Sequence, residues 1–124
     1  MSSFSEREFP TSHLSTKEWE FIEGLDAEFV SLIYPLRKHI FGRSELLPRK
    51  YKEIIHICLL CQRGAPDLTL LAHMRRAKDE GATTAELLAA LQVATITSGV
   101  PTLFHGVIAL MKLEKEEGSA ALSA

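Results

Sequence analysis

The chain has 124 residues, 46% of them apolar and 24% charged, with a formal charge of −2. That length and composition fit a single globular core, and the near-neutral balance offers no basic field for nucleic acid. No run reaches the ~18 continuous apolar residues of a membrane span, and the opening MSSFSEREFP lacks the apolar core of a signal peptide, so cytoplasm is the expected location.

Residues 1–14 are polar, contain Pro10 and keep no period, which predicts an extended N-terminal arm. Ser15-Thr16-Lys17-Glu18 reads as a capping box opening a first helix that carries Trp19, Phe21 and Ile22 and stops at Gly24. Asp26 caps a second helix, with Phe29, Val30, Ile33, Leu36 and Ile40 at roughly helical spacing, and Pro35 must kink or split it. A connector follows from Phe41 to Leu47. Pro48 suits a first-turn position, and PRKYKEIIHICLLCQR reads as a third helix closed by Gly64; being apolar almost all round after Glu53, it is expected to be the most buried element. Asp67 is expected to cap LTLLAHMRRAKDE, which ends at Gly81, and Thr83-Thr84-Ala85-Glu86 is a second capping box, opening AELLAALQVATITS. Gly99 stops that helix, Pro101 restarts the chain as TLFHGVIALMKLEKEE, and Gly118 begins a small-residue tail. No segment alternates with period two. The reading is therefore all-α: a bundle of about six helices in one domain over residues 15–117, with a flexible tail at 118–124.

Both cysteines lie in the third helix as C-L-L-C, and Ile54, Cys58 and Cys61 form an i, i+4, i+7 stripe expected to face the core. A redox pair needs a sulfur near a helix N-terminus, where the dipole favours thiolate; these sit in the second half, where it opposes one. No further cysteine completes a thiolate zinc site. Packing is the preferred reading of Cys58 and Cys61.

The histidines offer more chemistry. His56 shares a face with Glu53, Leu60 and Arg63, and fits either a pocket group or a part-buried histidine bonded to a neighbour. His73 has Thr69 one turn before it and Arg76 almost one turn after, so a hydroxyl, an imidazole and a guanidinium share one face. His105 lies one turn into the last helix, with Gly99 and Gly106 nearby, where a ligand or another backbone can come close. A structural histidine fits each position as well.

The stretch Leu47 to Leu110 resembles the carboxymuconolactone decarboxylase and alkylhydroperoxidase superfamily. The marks are L-P-x-K-x-x-E at Leu47 to Glu53, H-x-x-x-A-x-x-x-G-A-T at His73 to Thr83, then Glu86 and the G-V-P of Gly99 to Pro101, in that order. The redox branch carries C-x-x-C-x-x-x-H ending at the histidine; here Pro66 and Thr69 stand where those cysteines would be, as P66-D-L-T69-L-L-A-H73. The resemblance is therefore to the branch without the redox pair, and it argues against a thiol peroxidase. His105 departs from a family position often held by asparagine.

The resemblance implies a cofactor-independent decarboxylase, or a related lyase or isomerase, acting on a small carboxylated lactone or similar unsaturated acid. It makes His73 the proton donor, Glu53 the group that orients an imidazole, and His105 a stabiliser of the oxyanion. Arg76, with Thr69 and His56, would bind the substrate and hold its carboxylate. Two alternatives stand beside it. One is a divalent metal held by His56, His73, His105 and Glu53; the other is a non-catalytic small-molecule binder on the same scaffold. Apolar surface on the last two helices, together with the resemblance, implies a homo-oligomer, a trimer or hexamer, with no nucleic-acid or membrane partner.

Overall fold

The computed structural model describes residues 16–43 and 45–123, with side chains for residues 17–43 and 45–118; the predicted arm and Ser15 of the first capping box lie outside them. The described residues form six α-helices and no strand. No helix among them is long and apolar enough to cross a membrane. The chain divides into two compact units at Arg49 and Lys50.

In the first unit α1 (Thr16–Leu25) packs on α2 (Ala27–Gly42), and Trp19 and Val30 are buried. Asp26 caps α2 as its sequence predicts, its carboxylate accepting from the Phe29 amide at 3.0 Å. Pro35 neither splits nor ends this helix. It removes one intrahelical bond, and the surrounding turns carry the chain through.

The second unit holds α3 (Arg49–Gln62), α4 (Asp67–Asp79), α5 (Thr84–Ser98) and α6 (Val100–Ser123). Helix α6 packs on both α4 and α5. The core gathers Ile57 and Cys61 of α3, Leu70, Leu71, Met74 and Ala77 of α4, Leu87 and Leu91 of α5, and Ala109, Leu110 and Leu113 of α6. The most buried helix is α4, not α3, whose Tyr51, Ile55 and Leu59 are exposed. The inward stripe of α3 is also turned by one residue from the predicted one: Glu53, Ile57 and Cys61 are buried, while Ile54 and Cys58 are half-buried. A helix this apolar does not declare its inner face by hydrophobicity.

Helices α3 and α4 end in the same way. Ala65 N–H donates to Leu60 O and Gly64 N–H to Cys61 O; Ala82 N–H donates to Ala77 O and Gly81 N–H to Lys78 O. These are paired Schellman closures, and both need the left-handed φ seen at Gly64 (+73°) and Gly81 (+100°). The expected Asp67 cap is replaced: Pro66 holds the cap position with no side-chain bond, and Asp67, inside the first turn, pairs with Lys112 of α6. The second capping box is present, with Glu86 N–H donating to Thr83 Oγ1 (3.1 Å) and Thr83 N–H to Glu86 Oε1 (3.0 Å). Helix α6 runs through Gly118 to Ser123, where a tail was predicted. Ala120, Ala121 and Leu122 are strong helix formers that carry it past the glycine.

Candidate active site between helices α3 and α4

Two i, i+3 pairs supply the site: Glu53 and His56 on α3, His73 and Arg76 on α4. That spacing puts both members of each pair on one helix face. Glu53 and His73 are completely buried, and His73 Nδ1 lies 3.0 Å from Glu53 Oε1. An ionised carboxylate only accepts, so Nδ1 carries the proton and donates it. The His56 ring meets the His73 ring nearly edge-on, with centroids 4.3 Å apart. Arg76 NH1 stands 3.8 Å from Glu53 Oε2, and no hydrogen bond reaches that oxygen among the described residues. One ligand atom from each of Glu53, His56 and His73 lies within 4.8 Å of the other two.

Burial grades the site. Glu53 and His73 form its floor, whereas His56 is half-buried and the Arg76 side chain keeps 16% of its surface exposed. His56 and Arg76 are thus the partly exposed members of the group, although His56 Nδ1 itself is buried.

Of the predicted site residues, His105 does not join this group. His105 is half-buried on α6 and places Nε2 2.6 Å from the Ala65 carbonyl, so it donates to the backbone that joins α3 to α4. Thr69 is half-buried in the first turn of α4, one turn before His73. Gly106 admits neither ligand nor solvent: a Cβ there would lie 2.6 Å from a Leu91 methyl and 3.0 Å from Cys61 Sγ. It allows α6 to sit tightly against α5 and α3.

Burial disfavours thiolate at both cysteines. Burial pushes the Cys61 thiol up to about 12, helped by Cys58 beside it, and burial raises Cys58 as well. At pH 7 a group of that pKa is ionised in roughly one molecule in 100,000.

Residues 27–112, more than two thirds of the chain, match the model of the carboxymuconolactone decarboxylase family. The chain belongs to that family. No curated protein and no solved structure matches it significantly. Several of the motif residues that carried the sequence resemblance have physical partners. The lysine of L-P-x-K-x-x-E, Lys50, donates to Glu86 Oε2 at 3.1 Å, and Glu86 in turn caps α5. The glutamate of the same motif, Glu53, receives the proton of the motif histidine, His73. The Lys50 to Glu53 turn thus ties α3 to α5 at one end and to α4 at the other. Sequence reading nominated Glu53, His56, His73 and Arg76. It did not find the Lys50–Glu86 pair, although the capping box had already marked Glu86 as a fixed carboxylate.

Proposed function

We propose that the chain is a cofactor-independent decarboxylase, or a related lyase or isomerase, that acts on a small carboxylated lactone or similar unsaturated acid through His73 and Glu53. The buried His73–Glu53 hydrogen bond carries this reading. Glu53 fixes the tautomer and the ring plane of His73 and stabilises the imidazolium form, so proton exchange with substrate falls to Nε2.

Arg76, at the exposed edge, supplies the charge that holds a substrate carboxylate. When the bond from carbon to the departing carboxylate breaks, its electron pair moves into the conjugated carbonyl, CO2 leaves and a dienolate remains. The His73 imidazolium returns a proton to carbon, and solvent restores the imidazolium. In this reading His56, whose ring contacts that of His73, donates to the enolate oxygen, the task the resemblance implied for His105. His105 instead holds the connector that sets the position of α4.

Incubation of the pure chain with carboxymuconolactone, following CO2 release and loss of the conjugated absorbance, tests the reading. Turnover is expected to fall by about 10²–10⁴ in His73→Ala. Unchanged turnover in that variant removes His73 from the chemistry. Exposed Val93 and Ile96 on α5 and Phe104 and Met111 on α6 support association into a homo-oligomer, which light scattering measures directly.

A further inference from the structure

We propose that Glu53, His56 and His73 also constitute a binding site for one divalent transition ion, with Zn2+ the best match to the donor set. Three observations on the second unit carry this. The donors converge before any ion is present: one ligand atom from each residue lies within 4.8 Å of the other two. Around a zinc ion with bonds of about 2.1 Å, tetrahedral ligands stand about 3.4 Å apart, so the widest separation need close by only ~1.4 Å. Rotation of half-buried His56 supplies a movement of that size while the α3 and α4 backbones stay fixed.

The second observation is the state of the carboxylate. Glu53 is completely buried, its Oε1 holds the His73 proton, and its Oε2 accepts no hydrogen bond among the described residues, with Arg76 NH1 at 3.8 Å. A buried anion so incompletely compensated is a strong attractor for a cation that reaches direct contact. The third is the chemistry of the donors. Two imidazoles and one carboxylate suit zinc and its transition-metal neighbours rather than magnesium or calcium, which favour all-oxygen shells. Three protein ligands leave a position for water or a small molecule. His105 is not a fourth ligand, because its Nε2 is engaged by the Ala65 carbonyl. Since ligation requires neutral imidazoles, protons compete with the ion and affinity falls as the solution is acidified.

The inference stands apart from the acid–base reading, because binding is measured without turnover, and turnover by the metal-stripped chain reports on that reading alone. The full chain, prepared without an affinity tag and dialysed against a chelator, is titrated with Zn2+ by calorimetry and with Co2+ by visible absorption. About one ion per chain and ligand-field bands of a nitrogen- and oxygen-bound cobalt are expected. His56→Asn, with its fold checked by circular dichroism, is expected to lose stoichiometric binding, while His105→Gln keeps it. Absence of stoichiometric binding to the unmodified chain overturns the proposal without recourse to any variant. Binding that survives His56→Asn unchanged overturns it as well.

Discussion

Two replacements of Glu53 separate what its acceptor oxygen does from what its charge does. In Glu53→Ala the His73 Nδ1–H, completely buried, loses the oxygen 3.0 Å away, and a cavity is left where the carboxylate stood. An orphaned buried donor costs about 1–3 kcal/mol, and the cavity left by the side chain brings the loss to about 3–5 kcal/mol in all. Glu53→Gln keeps a carbonyl oxygen for Nδ1–H, so that loss is avoided. Its amide NH2 then occupies the place of Oε2, facing the Arg76 guanidinium at 3.8 Å, where two donors meet. The unsatisfied amide costs about 1–3 kcal/mol, part of it offset, as in the alanine variant, by relief of the buried carboxylate's desolvation, and no cavity is left. The expected order is a loss of about 3–5 kcal/mol for alanine and about 1–2 kcal/mol for glutamine, read from urea unfolding at pH 7 with unchanged slope. Decarboxylation is expected to fall in both, since neither supports an imidazolium. Equal destabilisation by the two variants would refute the reasoning, because the retained acceptor would then have contributed nothing.

Gly106→Ala is expected to destabilise the chain despite the helix propensity it gains. The new Cβ meets two Leu91 methyls at 2.6 and 2.8 Å, an overpacking of about 1–3 kcal/mol against a gain of about 1 kcal/mol, and thermal melting reads the difference. Native chain at pH 7 is expected to resist Ellman's reagent at Cys61, with labelling appearing on unfolding; rapid native labelling would contradict the raised thiol. Glu86 is held below its ordinary 4.5 first by the Thr83 backbone N–H and then by Lys50. The stability this adds is fully present above 4.5 and is lost as pH falls through the lower folded value, so Glu86→Gln is expected to be less stable at neutral pH and to lose less further stability across that window. Thr83→Ala, which removes the reciprocal cap, is expected to cost about 1 kcal/mol at neutral pH.

Helix boundaries were legible because they are written in local chemistry. Asp26, the Thr83 to Glu86 box, Gly64, Gly81 and Gly99 each act within a few residues, and each appears where its residue type predicts. Faces were harder to read. On α3 nearly every position after Glu53 is apolar, so the inner stripe is chosen by the helices that cover it, and the choice fell one residue from the expected set. The local spacing of Glu53 with His56 and of His73 with Arg76 placed each pair on one helix side, and motif order linked the two helices. The convergence of the two sides is tertiary. His105 shows the limit: its partner is a backbone carbonyl 40 residues away, and no side-chain pattern signals an acceptor that every residue possesses.

The position of charge in the second unit separates groups that fasten helices from the buried pair on which the proposed chemistry rests. Lys78 donates to Glu114 and Glu117, and Arg75 to Glu116, all on the accessible side of α4 and α6, where an ion pair is worth a few tenths of a kcal/mol and costs little desolvation. The Glu53–His73 pair is completely buried beside Ile57 and Met74, where a similarly sized apolar pair would serve packing equally well or better. Stability alone therefore gives no reason for a carboxylate and an imidazole at those two positions. A reaction or an ion does, because both need a donor set held in fixed geometry away from competing water, with one charged edge left open to the ligand. His56 and Arg76, the partly exposed members of the group, lie on the same two helices as the buried pair and would form that edge.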